Sequence, residues 1–344
     1  MNLEPITLKD IAKALGLSVS TVSKALKDSH EISVKTKEMV LAYANEHNYR
    51  PNPNALGLKK GKSKSIGIIV STIDNHFFSQ VINGIESVAY SKGYNVIITQ
   101  THESFDLEVK NAQHLTFRAV DGLLISLSTE TKNVDHLKSV LQKGLPIVFF
   151  DRVSEEIDTH KIISNNFKGA YDATEHLLNS GYNRIAHITS SLNTYITSER
   201  LNGYKQALTD HGIPDQEEYI KYCAHGGKDR NEIESALYEL LNLDPRPDAI
   251  LAASDRITTT TLSLLHKLKV KIPNELALVG FTNTVLADVL NPSLTTVYQS
   301  AFEMGKKATE MLIELIESKR SVTEFQTIVL PTELREGESS AHRH

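Results

Sequence analysis

Five segments of this 344-residue sequence combine acidic, amide and hydroxyl side chains with an aromatic ring, each directly after a short apolar run. The side chains concerned are Asp74, Asn75 and Phe78, then Asp151 and Arg152, Ser190 and Ser191, Ser254 and Asp255, and finally Thr282 and Asn283. A polyhydroxylated ligand needs this mixture, because each sugar hydroxyl both donates and accepts a hydrogen bond while the ring faces are apolar. Any one of these residues could simply cap a loop, but the agreement of five segments indicates a site for a small polar molecule.

A different chemistry is indicated near the N-terminus, where Ser20, Lys24 and Lys27 recur at i, i+4 and i+7 with Ser23 beside them. Short hydroxyl side chains let a helix approach base edges closely, and lysines contact phosphates or guanine. Residues 1–65 carry 11 Lys+Arg against 6 Asp+Glu, whereas the remainder carries 26 against 36. A basic head on an acidic body predicts that the head alone contacts a polyanion, although a solvated lysine-rich face would give the same pattern.

Three short helices within residues 7–49 would carry these lysines. Thr7 and Asp10 form a capping box for the first helix and Gly16 ends it, while Ser18 and Ser33 are good N-caps for the next two. Two helices joined by a glycine turn and followed by a third predict a helix-turn-helix unit. On a helical projection, the apolar face of the second helix consists of Val19, Val22 and Leu26.

Short apolar strands alternate with amphipathic helices from residue 66 onward. The predicted strands are 66–73, 95–100, 122–126, 147–150, 185–189, 249–253 and 276–281. The predicted helices are 78–92, 167–179, 199–211, 232–241 and 300–318. This alternation predicts an α/β body of two doubly wound parallel-sheet lobes behind an all-α head. Because ligands of open α/β sheets bind at the carboxyl ends of the strands, the five polar segments are expected to meet in one site.

A breaker cluster and a run of lysines separate the head from the body. The cluster contains Pro51 and Pro53, and the lysines follow at 59–64, immediately before the first predicted strand. The predicted divisions are a DNA-binding head at 1–52, a hinge helix or linker at 53–64, and a two-lobed body at 65–344. Within the body, the first lobe is expected to comprise about 65–164 and 295–325, and the second about 165–294 and 326–340.

The segment from Thr7 to Asn52 closely resembles the DNA-binding head of the lactose-repressor (LacI/GalR type) family of bacterial transcription regulators. Segments of the body are similar to the effector domain of the same family. They are Asn75-His-Phe-Phe78, Phe150-Asp-Arg152, Glu199-Arg-Leu-Asn-Gly-Tyr204, Ala253-Ser-Asp255 and Val279-Gly-Phe-Thr-Asn283. The resemblance implies a body similar to the periplasmic-binding-protein fold, with a ligand cleft between its lobes.

The resemblance implies a set of DNA-contacting residues. They are Thr7, Ser18, Val19, Ser20, Thr21, Ser23, Lys24, Asn52, Ala55, Leu58 and Lys59. Among them, Val19, Ser20 and Lys24 would read bases, and Thr21 and Ser23 would lie near phosphates. The base-reading role of Val19 conflicts with the helical projection, which turns that side chain inward. Since the N-terminal end of a recognition helix points into the groove, the role implied by the family is structurally reasonable.

In this family residues 53–60 would form a hinge helix on DNA, with Leu58 wedged into the minor groove. Such a wedge unstacks a base step and bends the duplex, at a cost repaid by additional contact. Leu56 stands where an arginine is frequent, and Gly57 lowers the helix propensity by about 1 kcal/mol. Ordering of the hinge is therefore expected to depend strongly on DNA.

The resemblance also implies which side chains line the effector cleft. They are Asn75, Phe78, Asp151, Arg200, Ser254, Asp255 and Thr282. Two of the positions depart from the family pattern, since His76 replaces the usual proline and Thr282 replaces a ligand-binding aspartate. Because a lost carboxylate removes a strong acceptor, the expected effector is a sugar or sugar derivative whose hydroxyl pattern differs from that of simple sugars.

Other classes of site are not indicated. Cys223 is the single cysteine, and no common catalytic or cofactor motif occurs, so we expect no enzyme activity, no cofactor and no metal site. The histidines are scattered along the sequence, and the only closely spaced pair, His342 and His344, lies in the C-terminal tail. The N-terminal residues do not form a secretion signal and no long apolar run occurs, so a cytoplasmic protein without membrane contact is expected.

The predicted function is that of a ligand-responsive, sequence-specific transcription regulator, with repression as its expected mode. It would control genes of carbohydrate or related metabolism. A homodimer is expected, because one such head buries too little surface to select an operator, whereas two heads on a two-fold axis read a palindrome in double-stranded DNA. The alternatives are a stand-alone sugar-binding protein, which would need a secretion signal and no basic head, and a sugar-processing α/β enzyme with the head as an accessory.

Overall fold

The computed structural model describes residues 6–49, 62–191, 194–320 and 322–342. The chain divides into two compact units, a small helical one that ends at Ser63 and a large α/β one that begins at Lys64. Among the described residues, no helix combines the length and the apolar character needed to cross a membrane.

The described residues of the small unit form three helices, α1 (Leu8–Leu15), α2 (Val19–Ala25) and α3 (Val34–Glu46). They enclose a core of small and branched apolar side chains, namely Ile11, Ala12, Val22, Ala25, Val40 and Ala44. Since each helix contributes two side chains to this core, none of the three could bury its apolar face alone. The arrangement confirms the expected helix-turn-helix unit.

The capping residues begin and end these helices as predicted. The Thr7 Oγ1 atom accepts a hydrogen bond from the Asp10 amide at 3.3 Å, and the Asp10 carboxylate accepts one from the Thr7 amide at 2.9 Å. Gly16 follows α1 with φ +62°, a conformation that glycine adopts without strain. Ser18 and Ser33 accept hydrogen bonds from the amides three residues later, at 3.0 and 3.3 Å.

The first lobe of the large unit is a six-stranded, fully parallel sheet with the strand order β11-β5-β4-β3-β1-β2. Its strands are β1 (Ser65–Val70), β2 (Asn95–Gln100), β3 (Gly122–Ile125), β4 (Ile147–Phe150), β5 (Lys161–Ser164) and β11 (Thr327–Leu330). Its helices are α4 (His76–Ser91), α5 (Phe105–Phe117), α6 (Asp135–Gln142) and α11 (Ala301–Glu317). Apolar side chains fill the space on both faces of the sheet, as expected for a doubly wound fold.

The second lobe is a six-stranded sheet with the order β12-β10-β9-β8-β6-β7. Its strands are β6 (Ile185–Ser190), β7 (Ile220–Cys223), β8 (Ala249–Ala252), β9 (Ala277–Phe281), β10 (Thr295–Gln299) and β12 (Thr332–Arg335). Its helices are α7 (Asn166–Asn179), α8 (Tyr195–Asp210), α9 (Arg230–Leu241) and α10 (Asp255–Lys267). A parallel sheet was expected, but β12 runs antiparallel to β10, so this sheet is mixed.

The assignment of two segments to the lobes was wrong. Residues 295–299 were expected in the first lobe, but β10 pairs with β9 of the second. Residues 327–330 were expected in the second lobe, but β11 pairs with β5 of the first. The reason is that the chain passes between the lobes three times, and a short apolar strand carries no signal of the sheet it joins.

The three crossovers between the lobes lie side by side and are joined by hydrogen bonds. The Asn165 amide donates to the Leu330 carbonyl at 2.8 Å, and the Gln299 side-chain amide donates to Ser164 Oγ at 3.0 Å. The Ser300 hydroxyl donates to the Pro331 carbonyl at 3.3 Å. Such a bundle of short connections is the usual form of a hinge between two rigid lobes.

Candidate functional site

The seven residues predicted to bind an effector all line one cleft of the large unit. Three follow strands of the first lobe, namely Asn75, Phe78 and Asp151, and four belong to the second lobe, namely Arg200, Ser254, Asp255 and Thr282. The carboxyl ends of the parallel strands bring them together, since six of the seven follow a strand or open the helix after it, and Arg200 lies in the second turn of α8. That these side chains contact an effector stays a prediction.

Arg200 is the most firmly held side chain of the cleft. It is 5% exposed and donates from Nε to Asn166 Oδ1 at 2.9 Å and from Nη2 to Gln299 Oε1 at 3.2 Å. A further hydrogen bond joins Nη1 to the Ala253 carbonyl, and the guanidinium lies 3.9 Å from the centre of the Phe281 ring. Burial lowers the pKa of Arg200 to about 9, which still leaves it charged at neutral pH.

Asp151 faces Arg200 from the first lobe. Its side chain is buried, its backbone has the left-handed φ of +60°, and its carboxylate lies 3.5 Å from the Ser126 hydroxyl. Burial raises the pKa of Asp151, while Arg152 and Arg200 act in the opposite direction. With one long hydrogen bond from Ser126, this carboxylate keeps acceptor capacity for the hydroxyl groups of a ligand.

The next residue, Arg152, is engaged by a carboxylate of its own lobe. Its Nη1 atom donates to Glu103 Oε2 at 2.6 Å and to the Leu127 carbonyl at 3.3 Å. Burial lowers the pKa of Arg152, but Glu103 and Asp151 raise it by more. Arg152 lines the cleft, as expected for a member of the five polar segments, although the family resemblance assigned it no contact with an effector.

Two hydroxyl residues of the second lobe interact with the start of α10. The Thr282 hydroxyl donates a short hydrogen bond to the Asp255 carboxylate, and Ser254 Oγ accepts from the Ile257 amide at 3.3 Å as the N-cap of this helix. Thr282 therefore orients the Asp255 carboxylate at the start of α10.

The aromatic face of the cleft comes from the first turn of α4. Asn75 Oδ1 accepts hydrogen bonds from the Phe77 and Phe78 amides at 2.8 and 3.4 Å, which begins the helix. The two phenylalanine rings are buried and meet edge to face, with their centroids 5.3 Å apart. Asn75 thus acts as a helix cap, and its side-chain NH2 group keeps two donors for other partners.

Several residues that line the cleft were not predicted to do so. They are Phe77, Thr129, Thr189, Thr194, Ile196, Thr197, Ala253, Phe281 and Gln299. Arg152, Ser190 and Asn283 of the five predicted segments also line the cleft, whereas Asp74 and Ser191 of those segments do not. Thr129 lies in the loop after β3, so the rule that located the other five loops would also have found this one. Asn283 joins the two lobes, because its side-chain amide donates to Gln80 Oε1 of α4 at 2.7 Å.

Thr189 carries an unsatisfied hydroxyl at the wall of the cleft. Its side chain is fully buried at the end of β6, and its Oγ1 has no hydrogen-bond partner among the described residues. A buried hydroxyl without a partner costs about 1–3 kcal/mol. A ligand hydroxyl placed against this wall would recover that cost.

We therefore expect Thr189→Val to raise the free energy of unfolding by about 1 kcal/mol and to weaken effector binding about fivefold. Thr261→Val is the matched control, because Thr261 in α10 is also fully buried with an unpartnered hydroxyl but does not line the cleft. Chemical denaturation and calorimetric titration measure the two effects. Equal effector affinities in the two variants would remove Thr189 from the binding surface.

The helix predicted to read DNA presents most of its implied contact residues to solvent. Val19, Ser20 and Lys24 are exposed, and Ser23 and Thr21 are half-buried. The helical projection was wrong for Val19, which is 43% exposed, because α2 is only seven residues long and its first turn extends beyond the core. The Lys24 ammonium is paired with the Glu31 carboxylate.

The remaining residues of the predicted DNA surface have different positions. Thr7 and Ser18 are exposed and cap α1 and α2, so their side chains lie at helix N-termini, where phosphate oxygens bind readily. Asn52, Ala55, Leu58 and Lys59 lie outside the described residues. The hinge helix and the minor-groove wedge therefore stay predictions.

Comparison with known proteins places both units in one family. Residues 7–52 match the family described as bacterial regulatory proteins, lacI family, and residues 174–340 match a periplasmic binding protein-like domain. The HTH-type transcriptional repressor PurR of Vibrio atlanticus is 32% identical over 315 residues, which cover 91% of this chain and 92% of that relative.

Solved structures show the same architecture. The transcriptional regulator CelR in complex with cellobiose is 26% identical, with a TM-score of 0.70 over 97% of this chain and 99% of that one. A LacI family transcriptional regulator from Enterococcus faecium with bound ribose is 25% identical, with a TM-score of 0.70 over 81% of this chain and 100% of that one.

Proposed function

Because the chain belongs to the lacI family of bacterial regulatory proteins, we propose that it is a homodimeric repressor whose affinity for a palindromic operator is set by a sugar or sugar derivative. The observation that carries the proposal is the convergence of seven predicted side chains, from both lobes, on one cleft. In this proposal the protein needs no cofactor, and its place of action is the bacterial cytoplasm, where the DNA lies.

The DNA-binding role rests on the helical unit. Its second helix exposes Val19, Ser20 and Lys24, with the exposed Lys27 in the turn just after it, and is held by a small core that the other two helices complete. A recognition helix reads bases with residues of this kind at its N-terminal end. One unit of this size gives little specificity, so two units on a two-fold axis are needed for a palindrome.

An apolar surface of the second lobe supports the dimer. Val285, Leu286 and Val289 expose 70%, 53% and 75% of their surface on the loop and short helix after β9. Three large apolar side chains exposed within five residues are unusual for a monomer and typical of a contact with another chain. We place this patch in the interface between two copies.

The chemistry of the cleft supports a neutral polyhydroxylated effector. Asp151 and Asp255 supply acceptors, Thr189 and Thr197 supply hydroxyls, and Phe78 supplies an apolar ring face. The CelR and Enterococcus faecium structures contain cellobiose and ribose, which are ligands of this type. The Thr282 hydroxyl donates a hydrogen bond to Asp255. The effector is therefore one that needs no carboxylate acceptor at position 282.

The three adjacent crossovers explain how binding in the cleft would reach the DNA. A ligand that contacts both lobes stabilises one closure of the lobes, and closure changes the position of β1, which follows the linker. A coupling of about 1–3 kcal/mol between the two sites would change operator affinity about 5- to 150-fold. The linker residues 53–61 lie outside the described part of the chain.

A two-armed experiment tests the proposal. In the first arm, DNA is selected from a random-sequence library with the full chain, and enrichment of a palindrome is expected. In the second, the melting temperature is recorded with ribose, cellobiose and other neutral sugars, and one of them is expected to stabilise the protein without being converted. Selection of no common sequence would contradict DNA recognition, and product formation would favour the alternative of a sugar-processing enzyme.

A further inference from the structure

The charges that line the cleft cancel one another. They belong to two carboxylates and two guanidiniums, namely Asp151, Asp255, Arg152 and Arg200. An anionic ligand such as a phosphorylated sugar needs a cation that is free to bind it, because a buried phosphate without a partner is strongly disfavoured. Whether the cleft can bind an anionic ligand therefore depends on how many donors the two arginines have left to offer it.

Arg200 is committed to protein acceptors. Its Nε, Nη1 and Nη2 atoms all donate to neutral oxygens, those of Asn166, Ala253 and Gln299. The Phe281 ring covers one face of the guanidinium. Two of the five guanidinium donors remain for a ligand, so Arg200 offers a phosphate fewer contacts than a free arginine would.

Arg152 is the second cation of the cleft, and its guanidinium forms an ion pair with Glu103. The Arg152 Nη1 to Glu103 Oε2 distance is 2.6 Å, and the two side chains are 21% and 17% exposed. Burial raises the pKa of Glu103, but the charge of Arg152 and the hydrogen bonds from Arg152 and Thr129 outweigh it, so the pKa lies below its usual value. The pair is therefore ionised at neutral pH.

The backbone around Glu103 is built to hold this carboxylate in place. Glu103 has φ +66° and His102 has φ +48°, a conformation that costs non-glycine residues about 1 kcal/mol or more. Two contacts offset the cost. The Thr129 amide donates to Glu103 Oε2 at 2.9 Å, and Lys228 of the second lobe donates to the His102 carbonyl at 3.1 Å.

We propose that Glu103 is a specificity-determining residue that restricts the cleft to uncharged ligands by occupying the guanidinium of Arg152. The inference rests on the proposed function, since it concerns the ligand of the same cleft. An incoming phosphate must displace Glu103 from Arg152, and it then leaves the half-buried Glu103 carboxylate without its cation, next to the negative charge of the phosphate. A neutral sugar leaves the ion pair intact, and one of its oxygens accepts a hydrogen bond from an Arg152 N–H group that Glu103 does not use.

Glu103→Gln tests this assignment, because the amide keeps an acceptor for Thr129 and removes the charge. The matched control is Glu130→Gln, which removes the same charge from an exposed residue next to Thr129. Glu103→Gly is a second variant that suits the left-handed backbone and so protects folding. The melting temperature of the full chain is titrated with inorganic phosphate, with chloride at equal ionic strength as the reference.

We expect a saturable phosphate stabilisation in both Glu103 variants, with an affinity about tenfold or more above that of the wild type and Glu130→Gln. The gain should disappear in Glu103→Gln combined with Arg152→Met. Equal phosphate responses in all variants, or a gain that survives the loss of Arg152, would overturn the inference.

A second arm uses ribose and glucose beside ribose 5-phosphate and glucose 6-phosphate. A wild type stabilised by a neutral sugar and not by its phosphate ester supports the inference, and tighter binding of a phosphate ester overturns it. If none of these compounds and no sugar of the wider panel that includes cellobiose stabilises the wild type, the sugar class of the proposed function fails, while the phosphate titration still decides the role of Glu103.

Discussion

Arg200→Ala is expected to abolish the response to the effector and to lower the free energy of unfolding by about 3 kcal/mol. The truncation removes a guanidinium that lines the cleft and strands three buried acceptors, on Asn166, Ala253 and Gln299. Gln299 and Asn166 lie at two of the crossovers between the lobes. The variant therefore loses both a ligand contact and the connection of the second lobe to the hinge.

Denaturant unfolding measures the loss of stability, and sugar titration measures the loss of the effector response. Operator binding measures whether the variant still recognises DNA. Since the helical unit has its own core, the variant should still bind DNA. Arg335→Ala is the control, because Arg335 also stacks on an aromatic ring, 3.5 Å from the centre of Tyr298, but is half-exposed and does not line the cleft. A normal effector response in Arg200→Ala would remove this residue from the site.

Lys24→Ala is expected to weaken operator binding by about 1–3 kcal/mol, or roughly 5- to 150-fold, and to relax the preference for one sequence. Lys24 lies on the exposed face of α2 and is tied to Glu31 rather than to the core. A lysine that reads a guanine discriminates between sequences, whereas one that contacts phosphate lowers all affinities alike. The loss should therefore be larger for the selected operator than for random DNA.

Fluorescence anisotropy with operator and random duplexes, at one salt concentration, separates the two effects. Lys13→Ala serves as the control, because it removes the same charge from the exposed end of α1. Equal losses for operator and random DNA in Lys24→Ala would reduce its role to a phosphate contact. Unchanged affinity and preference would exclude it from the interface.

The sequence predicts the helical head well because its signals are local. Caps such as Thr7, Ser18 and Ser33 fix where helices begin within one turn of chain, and Gly16 fixes an end. Val19 was placed wrongly because a projection assumes that the whole helix packs on a core. A short helix whose first turn projects from the core violates that assumption.

The sequence predicted the two α/β lobes of the body and its cleft, but not all of the strands or the sheet that each strand joins. Polar residues after strands located the cleft, since the carboxyl ends of parallel strands lie together whatever their order. Five strands were not predicted, namely β5, β7, β10, β11 and β12. The sheets that β10, β11 and β12 join depend on contacts far apart in the chain, which no local pattern encodes. Glu103 was missed for the same reason, because its partner Arg152 lies 49 residues away.

We expect one molecule to bind both operator and sugar, and each binding event to alter the affinity for the other ligand. The most direct test is the dissociation constant of the selected palindromic duplex with and without a saturating neutral sugar. We expect the sugar to change it by about 5- to 150-fold, and the operator to change the affinity for the sugar by the same factor. Identical dissociation constants, measured while the sugar demonstrably occupies the cleft, would contradict the claim.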